Sequence, residues 1–368
     1  MLSSVLFVAL FSGCSGENKL HEKIIIKGVG VDLYDGNIEV TMHVFDSENS
    51  VSDGKGKIIV ISSTGKTVLD AFNNLSKKTG KEPLYSQNLV LIIGKECAQN
   101  GINAIMDFFI RYYEVRPSVS VFVSDTTAKD ILKCRYDGFL ITCEEISALS
   151  FMGDFNASGK SADVTEVVND LCGDITDPAV MALKVTADEQ GQRPETSGTA
   201  IFNKDKLAGF LNTSESKGFM LLKGNIKGGT FVLDLNNSLG TATITFNDVT
   251  AEYSFDTSEE KLKIKIDIFA QLNLYALDNS EQRHLPNTHI DYIEELSNIK
   301  LKEYAVCAIE KSVKEYNSDS LNLGKRLRLY ETDYFKEIQN NHRSCLSSAV
   351  YEINVQSQIK NIGQEMGP

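Results

Sequence analysis

GINAIMDFFIRYYEVRPSVSVFVSDTTAKDIL, residues 101–132, passes through helix, turn, strand and helix in succession. Residues 101–112 are amphipathic at helical period, Glu114, Val115, Arg116 and Pro117 break the pattern, residues 119–124 read as a strand, and residues 127–133 as a further helix. Upstream the same alternation holds. Residues 23–44 give strand, turn, strand: Tyr34-Asp35-Gly36-Asn37 is turn chemistry, and Ile38, Val40, Met42 and Val44 share one face of the returning strand. Residues 57–62 (KIIVIS) predict another strand. Thr64-Gly65-Lys66-Thr67 opens a helix, with Thr64 as the expected cap, Val68, Ala71, Phe72 and Leu75 at helical spacing and Gly80 at its close. Residues 89–94 (LVLIIG) predict a buried strand. Strands alternating with short helices make this region α/β or α+β.

Downstream, residues 144–151 read as helix, 156–163 as a Gly/Ser-rich loop and 181–185 as a short strand. Residues 190–197 (QGQRPETS) are polar with Gly and Pro, and read as the best linker in the chain. Residues 199–202 and 207–211 flank Asn203-Lys204-Asp205-Lys206 as a hairpin; 230–235, 241–246, 250–255 and 262–274 alternate at period two, the pattern of an antiparallel sheet. A long helix follows over 291–316, turning Ile293, Leu296, Ile299 or Leu301, Val306, Ile309 and Val313 to the core. A second helix is expected at 334–340, and Tyr351, Ile353, Val355 and Ile359 form a last strand face. The predicted class is α+β and multi-domain, with mixed and antiparallel sheets each packed with helices. The expected divisions are 1–13 as signal peptide, 14–125 as an N-terminal α/β domain, 126–195 as a middle domain or an extension of the first, and 196–368 as an antiparallel sheet plus long helix.

The chain has 368 residues, 37 basic and 50 acidic side chains, a net charge of −13, 42% apolar residues and six prolines. Those values exclude disorder and fibrous repeats. An acidic chain lacks the basic stripe that phosphate backbones require, so no nucleic-acid partner is expected. The same charge repels the body as a whole from an anionic membrane surface, so a membrane tether has to be covalent or a dedicated segment.

Such a tether is written at the start. Residues 5–11 (VLFVALF) are an unbroken apolar run, far too short to span about 30 Å of hydrocarbon but fitting the apolar core of a secretory signal. Ser12 and Gly13, both small, precede Cys14, as in the lipobox of bacterial lipoproteins. That resemblance implies a diacylglycerol on the Cys14 thiol, cleavage before it, and a soluble body held at a membrane by its N-terminus. Phe11 stands where the lipobox usually has leucine, and no Lys or Arg precedes the apolar run, as a signal would need at its start, so a start codon further upstream is an expectation.

Motifs for chemistry fail on inspection. Gly28-Val29-Gly30 follows a strand, but Leu33 occupies the third glycine position of a dinucleotide fingerprint. Gly65-Lys66-Thr67 mimics the end of a phosphate loop, yet Val60 stands where its first glycine belongs. The five histidines include no pair at zinc-helix spacing, Cys134 and Cys143 form no C-x-x-C, and no G-x-S-x-G turn occurs. No catalytic residue, metal ligand or cofactor is expected, and the chain reads as a non-enzyme. Beyond Cys14, the six cysteines Cys97, Cys134, Cys143, Cys172, Cys307 and Cys345 are an even number that permits disulfides outside the membrane, though most are expected to be small buried apolar residues, Cys97 and Cys307 among them.

Within 101–132, the helix, an R-x-x-E-x-R segment (Arg111, Glu114, Arg116), the strand and Ala128-Lys129-Asp130-Ile131-Leu132 together resemble the Ger(x)C family, the C-subunit lipoproteins of spore germinant receptors. Further pieces match in order: Cys14, residues 28–32 (GVGVD), the helix over 67–75, residues 92–94 (IIG), residues 198–202 (GTAIF) with 206–211 (KLAGFL), and residues 319–324 (DSLNLG) after the long helix. The family's usual tryptophans are missing, with Phe210 at the first such position. The resemblance implies a non-catalytic receptor subunit that helps trigger germination through protein–protein contacts. Its implied partners are integral-membrane A and B type subunits, and its implied place is the outer face of the spore inner membrane. The alternatives are a lipid-tethered extracytoplasmic substrate-binding protein of a transporter, and an envelope hydrolase. Arg111, Glu114 and Arg116 read either as an internal ion pair fixing the helix-to-strand turn or as a partner contact. The first reading makes Arg116→Ala destabilising.

Overall fold

In the computed structural model, which describes residues 23–46, 57–111, 116–173, 175–235, 240–277 and 287–362, the chain forms α+β layers around two sheets. Strand β1 (Lys23–Tyr34) turns through Asp35 and Gly36 into β2 (Asn37–Asp46), with Val31 opposite Val40. Both turn residues have positive φ, 49° and 70°, the requirement of a tight two-residue hairpin. Strand β3 (Lys57–Gly65) pairs with β2 at the sheet edge, and helix α1 (Val68–Thr79) follows. Its cap is Thr67, whose hydroxyl accepts the Asp70 N–H at 3.1 Å, and not Thr64, which is still paired in β3 opposite Glu39. From α1, Asn74 and Lys78 donate to the carbonyls of Thr64 and Ser62, covering part of the open edge of β3.

Next come β4 (Glu82–Leu84), β5 (Val90–Ile93), α2 (Lys95–Asn100), α3 (Asn103–Arg111) and β6 (Ser120–Ser124). The single helix expected over 101–112 is thus preceded by a separate one, the two parted at Gly101, whose φ of 126° no helix accommodates. Helices α4 (Ala128–Lys133), α5 (Cys143–Phe155) and α6 (Val164–Cys172) then lead to β9 (Ala179–Asp188), with β7 (Arg135–Tyr136) and β8 (Phe139–Leu140) as a small hairpin between the first two. Helix α6 escaped the sequence reading. Strands β1, β5, β6 and β9 are parallel neighbours. Leu91 and Ile93 face the core under α1, α2, α3 and α6, while Val90 and Ile92 face the core under α4 and α5. Burial on both faces is what makes this strand a continuous apolar run.

The polar stretch 190–197 is not a linker. Strand β10 (Gly191–Asn203) pairs with β9 from Gly191 opposite Asp188 onward, and β11 (Lys206–Leu211) returns alongside, so β10 itself crosses the expected boundary at 195/196 and one eleven-stranded sheet takes strands from both sides of it. Its polarity reports solvent exposure at the end of a paired strand, where Arg193 lies 3.4 Å above the Tyr136 ring.

The second sheet orders β12 (Thr230–Asp234), β13 (Thr241–Asp256), β14 (Lys263–Leu277) and β15 (Val350–Ile362). The first three are antiparallel, but β15 is parallel to β14, and the two strands expected within 241–255 are one, kinked at an irregularity between Phe246 and Asp248. Helices α7 (Thr213–Lys223), also missed in the sequence, and α8 (Asn287–Ala308) cross at Gly218, and a π-helical segment (Ile309–Glu315) continues α8. The buried stripe of α8 is Ile293, Ser297, Leu301, Ala305 and Ala308. Of the alternatives Ile299 and Leu301 it is Leu301 that is buried, and because small residues hold the rest of the contact stripe, Val306 turns outward, against expectation. Helices α9 (Leu323–Tyr330), α10 (Thr332–Ile338) and α11 (His342–Ser348) lead into β15.

Candidate functional site

Where the two layers meet, the loop before β9 carries Asp177, whose side chain is wholly buried. Its carboxylate takes both Nε and Nη2 of Arg343 on α11, at 2.8 and 2.7 Å. It also takes the backbone N–H of Lys204 at the β10–β11 tip and that of Asp319, each at 2.7 Å. Four donors fill the lone-pair directions of one carboxylate. Asp319 in turn accepts the N–H groups of Leu323 (2.6 Å) and Gly324 (2.8 Å), capping α9. A Cβ on Gly324 would stand 2.7 Å from Asp319 Oδ2, so the aspartate and glycine of residues 319–324 are required together. Burial pushes the Asp319 carboxyl up to about 8, partly opposed by those two N–H groups. Asn203 adds a second tie, donating to the Tyr316 and Asn317 carbonyls, and His342 Nε2 lies 3.1 Å from the Ile175 carbonyl. The arrangement is a bolt between layers. With its carboxylates occupied by protein donors, it offers no free acid or base to a substrate.

The residues singled out in the sequence lie elsewhere. Cys14 and Glu114 are outside the described residues. Arg111 ends α3 and pairs with Asp107 at 2.6 Å, one turn back, with its side chain 78% exposed; Asp107 raises the guanidinium pKa further. Arg116 is also exposed. The structure therefore gives Arg111 a partner within its own helix.

The nearest approach to a reactive pair is His43 with Cys143. The ring Nε2 donates to the Leu132 carbonyl at 2.5 Å, which leaves Nδ1 to accept the Cys143 thiol at 3.1 Å. Both are fully buried, and burial lowers the histidine pKa and raises that of the thiol, so both stay neutral. This is a satisfied core hydrogen bond. Cys97, Cys134 and Cys143 are buried as expected, but Cys172 and Cys307 are exposed, the latter because it sits off the stripe of α8; all six are free. Among the described residues no group of three or more His, Cys, Asp or Glu side chains could hold a metal. A cleft of about 460 Å³ lies between the start of α1 and α3, floored by Ile105 and Phe108 and rimmed by Lys66 and Arg111. Asp177 and Arg343 carried no sequence signal, being single polar residues whose partners lie far along the chain; Asp319 was visible only through its spacing to Gly324.

Two family models match in order: "Spore germination protein N-terminal domain" over residues 16–185 and "Spore germination B3/ GerAC like, C-terminal" over residues 197–363. Spore germination protein B3 of Bacillus subtilis (strain 168) is 21% identical over 380 residues, spanning 98% of this chain and 97% of that protein. The putative spore germination protein YfkR of the same organism is 22% identical over 279 residues, covering 73% and 72% of the two chains. The crystal structure of the GerBC protein superposes with a TM-score of 0.60 at 18% identity, covering 91% of this chain and 97% of that one, and shares the fold. The two models leave unmatched only residues 186–196, around the turn from β9 into β10, within the span 16–363. The chain belongs to the Ger(x)C family of spore germination proteins.

Proposed function

We propose that the chain is the C subunit of a nutrient germinant receptor. It is a non-catalytic lipoprotein, anchored through Cys14 at the outer face of the spore inner membrane, that contributes to germination through protein–protein contacts with integral-membrane A and B type subunits. The observation that carries this reading is the ordered match of both family models across the chain. The sequence around Cys14 supports the anchor: an apolar run, two small residues, the cysteine, then polar Glu17-Asn18-Lys19. Two acyl chains, at about 0.8 kcal/mol per buried CH₂, hold a protein stably on a bilayer. Among the described residues no helix is long and apolar enough to cross one. A transporter-feeding protein would need two α/β lobes around a cleft, and the second layer, three antiparallel strands with β15 added in parallel, is not such a lobe.

Labelled palmitate tests the anchor. Label is expected in the wild type and absent from Cys14→Ala; an unlabelled wild type would remove the lipoprotein reading.

A further inference from the structure

Helices α1, α3 and α6 cover one face of the first sheet, and α3 packs against both of the others. A groove runs along each of its flanks. On the α1 side lies the cleft of about 460 Å³ floored by Ile105, with Lys66, Leu69 and Arg111 at its mouth. On the α6 side lies a second, of about 420 Å³, lined by Met106, Ile110, Val168, Leu171 and Cys172. Ala104 and Asp107 line both grooves, so the ridge that parts them drops to a methyl group at Ala104. Among the described residues, those lining the two grooves all fall between Ile38 and Cys172, in the first layer, and the second layer walls neither.

Leu69 is 51% exposed and Ile110 52%, one at the mouth of each groove. Large apolar side chains left in water beside apolar grooves mark a contact surface. The charge at the rim says what crosses it. Asp107 is taken up by Arg111, at 2.6 Å, and among the described residues no carboxylate pairs with the Lys66 ammonium, whose own backbone N–H bonds Asp70. With two cations to one carboxylate, this rim is positive in a chain of −13, and its complement is an acidic side chain. Grooves on the two flanks of one helix lie about one packing distance apart, roughly 8–10 Å. Side chains at i and i+7 of an α-helix, about 10.5 Å apart at 1.5 Å per residue, match that spacing and are the usual anchors of a helix laid into grooves.

We propose that the face formed by α1, α3 and α6 docks an amphipathic helix of an integral-membrane receptor subunit. The helix crosses α3 at Ala104, sets one apolar side chain into each groove and places a carboxylate between Lys66 and Arg111. The inference rests on the chain being a receptor subunit that acts through protein contacts, and it names the surface that makes one of them.

Cys172 lines the α6-side groove and is exposed, while Cys307 is exposed on α8 in the second layer, so the chain carries its own reporter and reference. The full chain is purified in detergent with its membrane subunits and, separately, freed of them, and both samples are treated with maleimide. Docking predicts that Cys172 is labelled in the free chain and loses its labelling in the assembly, with Cys307 labelled in both. Ala104→Arg sets a long cation on the ridge, and Ile110→Glu charges the mouth of the α6-side groove. Both positions are exposed, so the melting temperature should hold, and two separate variants keep the test open if one fails to fold. Each should lower recovery of the membrane subunits by roughly tenfold or more, whereas Leu329→Arg, at a position 73% exposed on α9, should not. Full recovery by Ala104→Arg and Ile110→Glu, or unchanged labelling of Cys172 in the assembly, overturns this surface and leaves the receptor reading standing. A wild type that recovers no membrane subunit overturns the receptor reading and the surface with it. A free wild type that elutes as a dimer, with Ala104→Arg as a monomer, assigns the grooves to a second copy and overturns the subunit helix.

Discussion

Asp177 receives the Arg343 guanidinium side-on, with Nε–Oδ2 at 2.8 Å and Nη2–Oδ1 at 2.7 Å, and so ties the loop before β9 to helix α11 in the other layer. The two sheets share no strand. Their relative placement depends on this carboxylate, on Asn203 at the neighbouring hairpin tip, and on apolar packing such as Phe155 against Gly228.

Asp177→Asn removes the carboxylate from a guanidinium whose side chain is only 14% exposed. Breaking a buried pair on one side costs about 3–5 kcal/mol, so the melting temperature of the full chain should fall clearly. Arg343→Met should lose less on the Asp177→Asn background than on the wild type, because the pair is already broken. Additive losses in that double-mutant cycle would show that the two side chains are not coupled.

Asp32 is buried and accepts the N–H groups of Ala128 and Lys129 at 2.8 and 2.9 Å; burial outweighs those donors and pushes its pKa from 3.8 up to about 6. A carboxyl raised in the folded state holds its proton more tightly there. Its contribution is therefore fully present below pH 4 and is lost as the pH rises through 6, on the order of 2–3 kcal/mol. Asp319, raised to about 8, extends the decline to higher pH. Urea unfolding at pH 4.5 and pH 7 should show the wild type losing stability with rising pH and Asp32→Asn losing less. An identical slope in both would contradict the assignment.

Gly218 of α7 packs against the backbone of α8, and a Cβ there would overlap the Tyr304 carbonyl oxygen. Backbone yields less readily than a flexible side chain. Gly218→Ala should destabilise by about 1–3 kcal/mol through forced separation of the helices, despite alanine's better helix propensity. A melting temperature at or above that of the wild type would mean that the helices do not cross so closely.

Arg116 is exposed, and Arg111 forms an exposed pair within its own helix. Arg116→Ala should therefore leave the melting temperature unchanged, reversing the direction expected from an internal ion pair. A loss of the size seen for Asp177→Asn would restore the buried-pair reading.

Local pattern carried most of the first layer. Asp35-Gly36 wrote its hairpin, and the apolar runs of β5 and β6 wrote strands buried on both faces. Misreadings arose where local chemistry had two meanings. Residues 191–197 are polar because one end of a paired strand is solvated, and composition cannot separate that from a linker. Thr64 and Thr67 are equivalent as caps until β3 is seen to extend through Gly65. The stripe of α8 mixes Ile293 and Leu301, which the spacing identified, with Ser297, Ala305 and Ala308, small or polar residues that a search for large apolar side chains passes over in favour of Val306. The bolt was illegible for a different reason. Asp177, Lys204, Asp319 and Arg343 meet only through the packing of two layers, and nothing in the neighbourhood of any one names the others.

Affinity capture of the tagged full chain from detergent extracts of spore membranes tests the central claim most directly. A receptor C subunit should bring down integral-membrane A and B type subunits, with recovery reduced when Cys14→Ala releases the chain from the membrane. Recovery of an ATP-driven permease instead, or tight binding of a small solute by the chain with no membrane partner recovered, would contradict it.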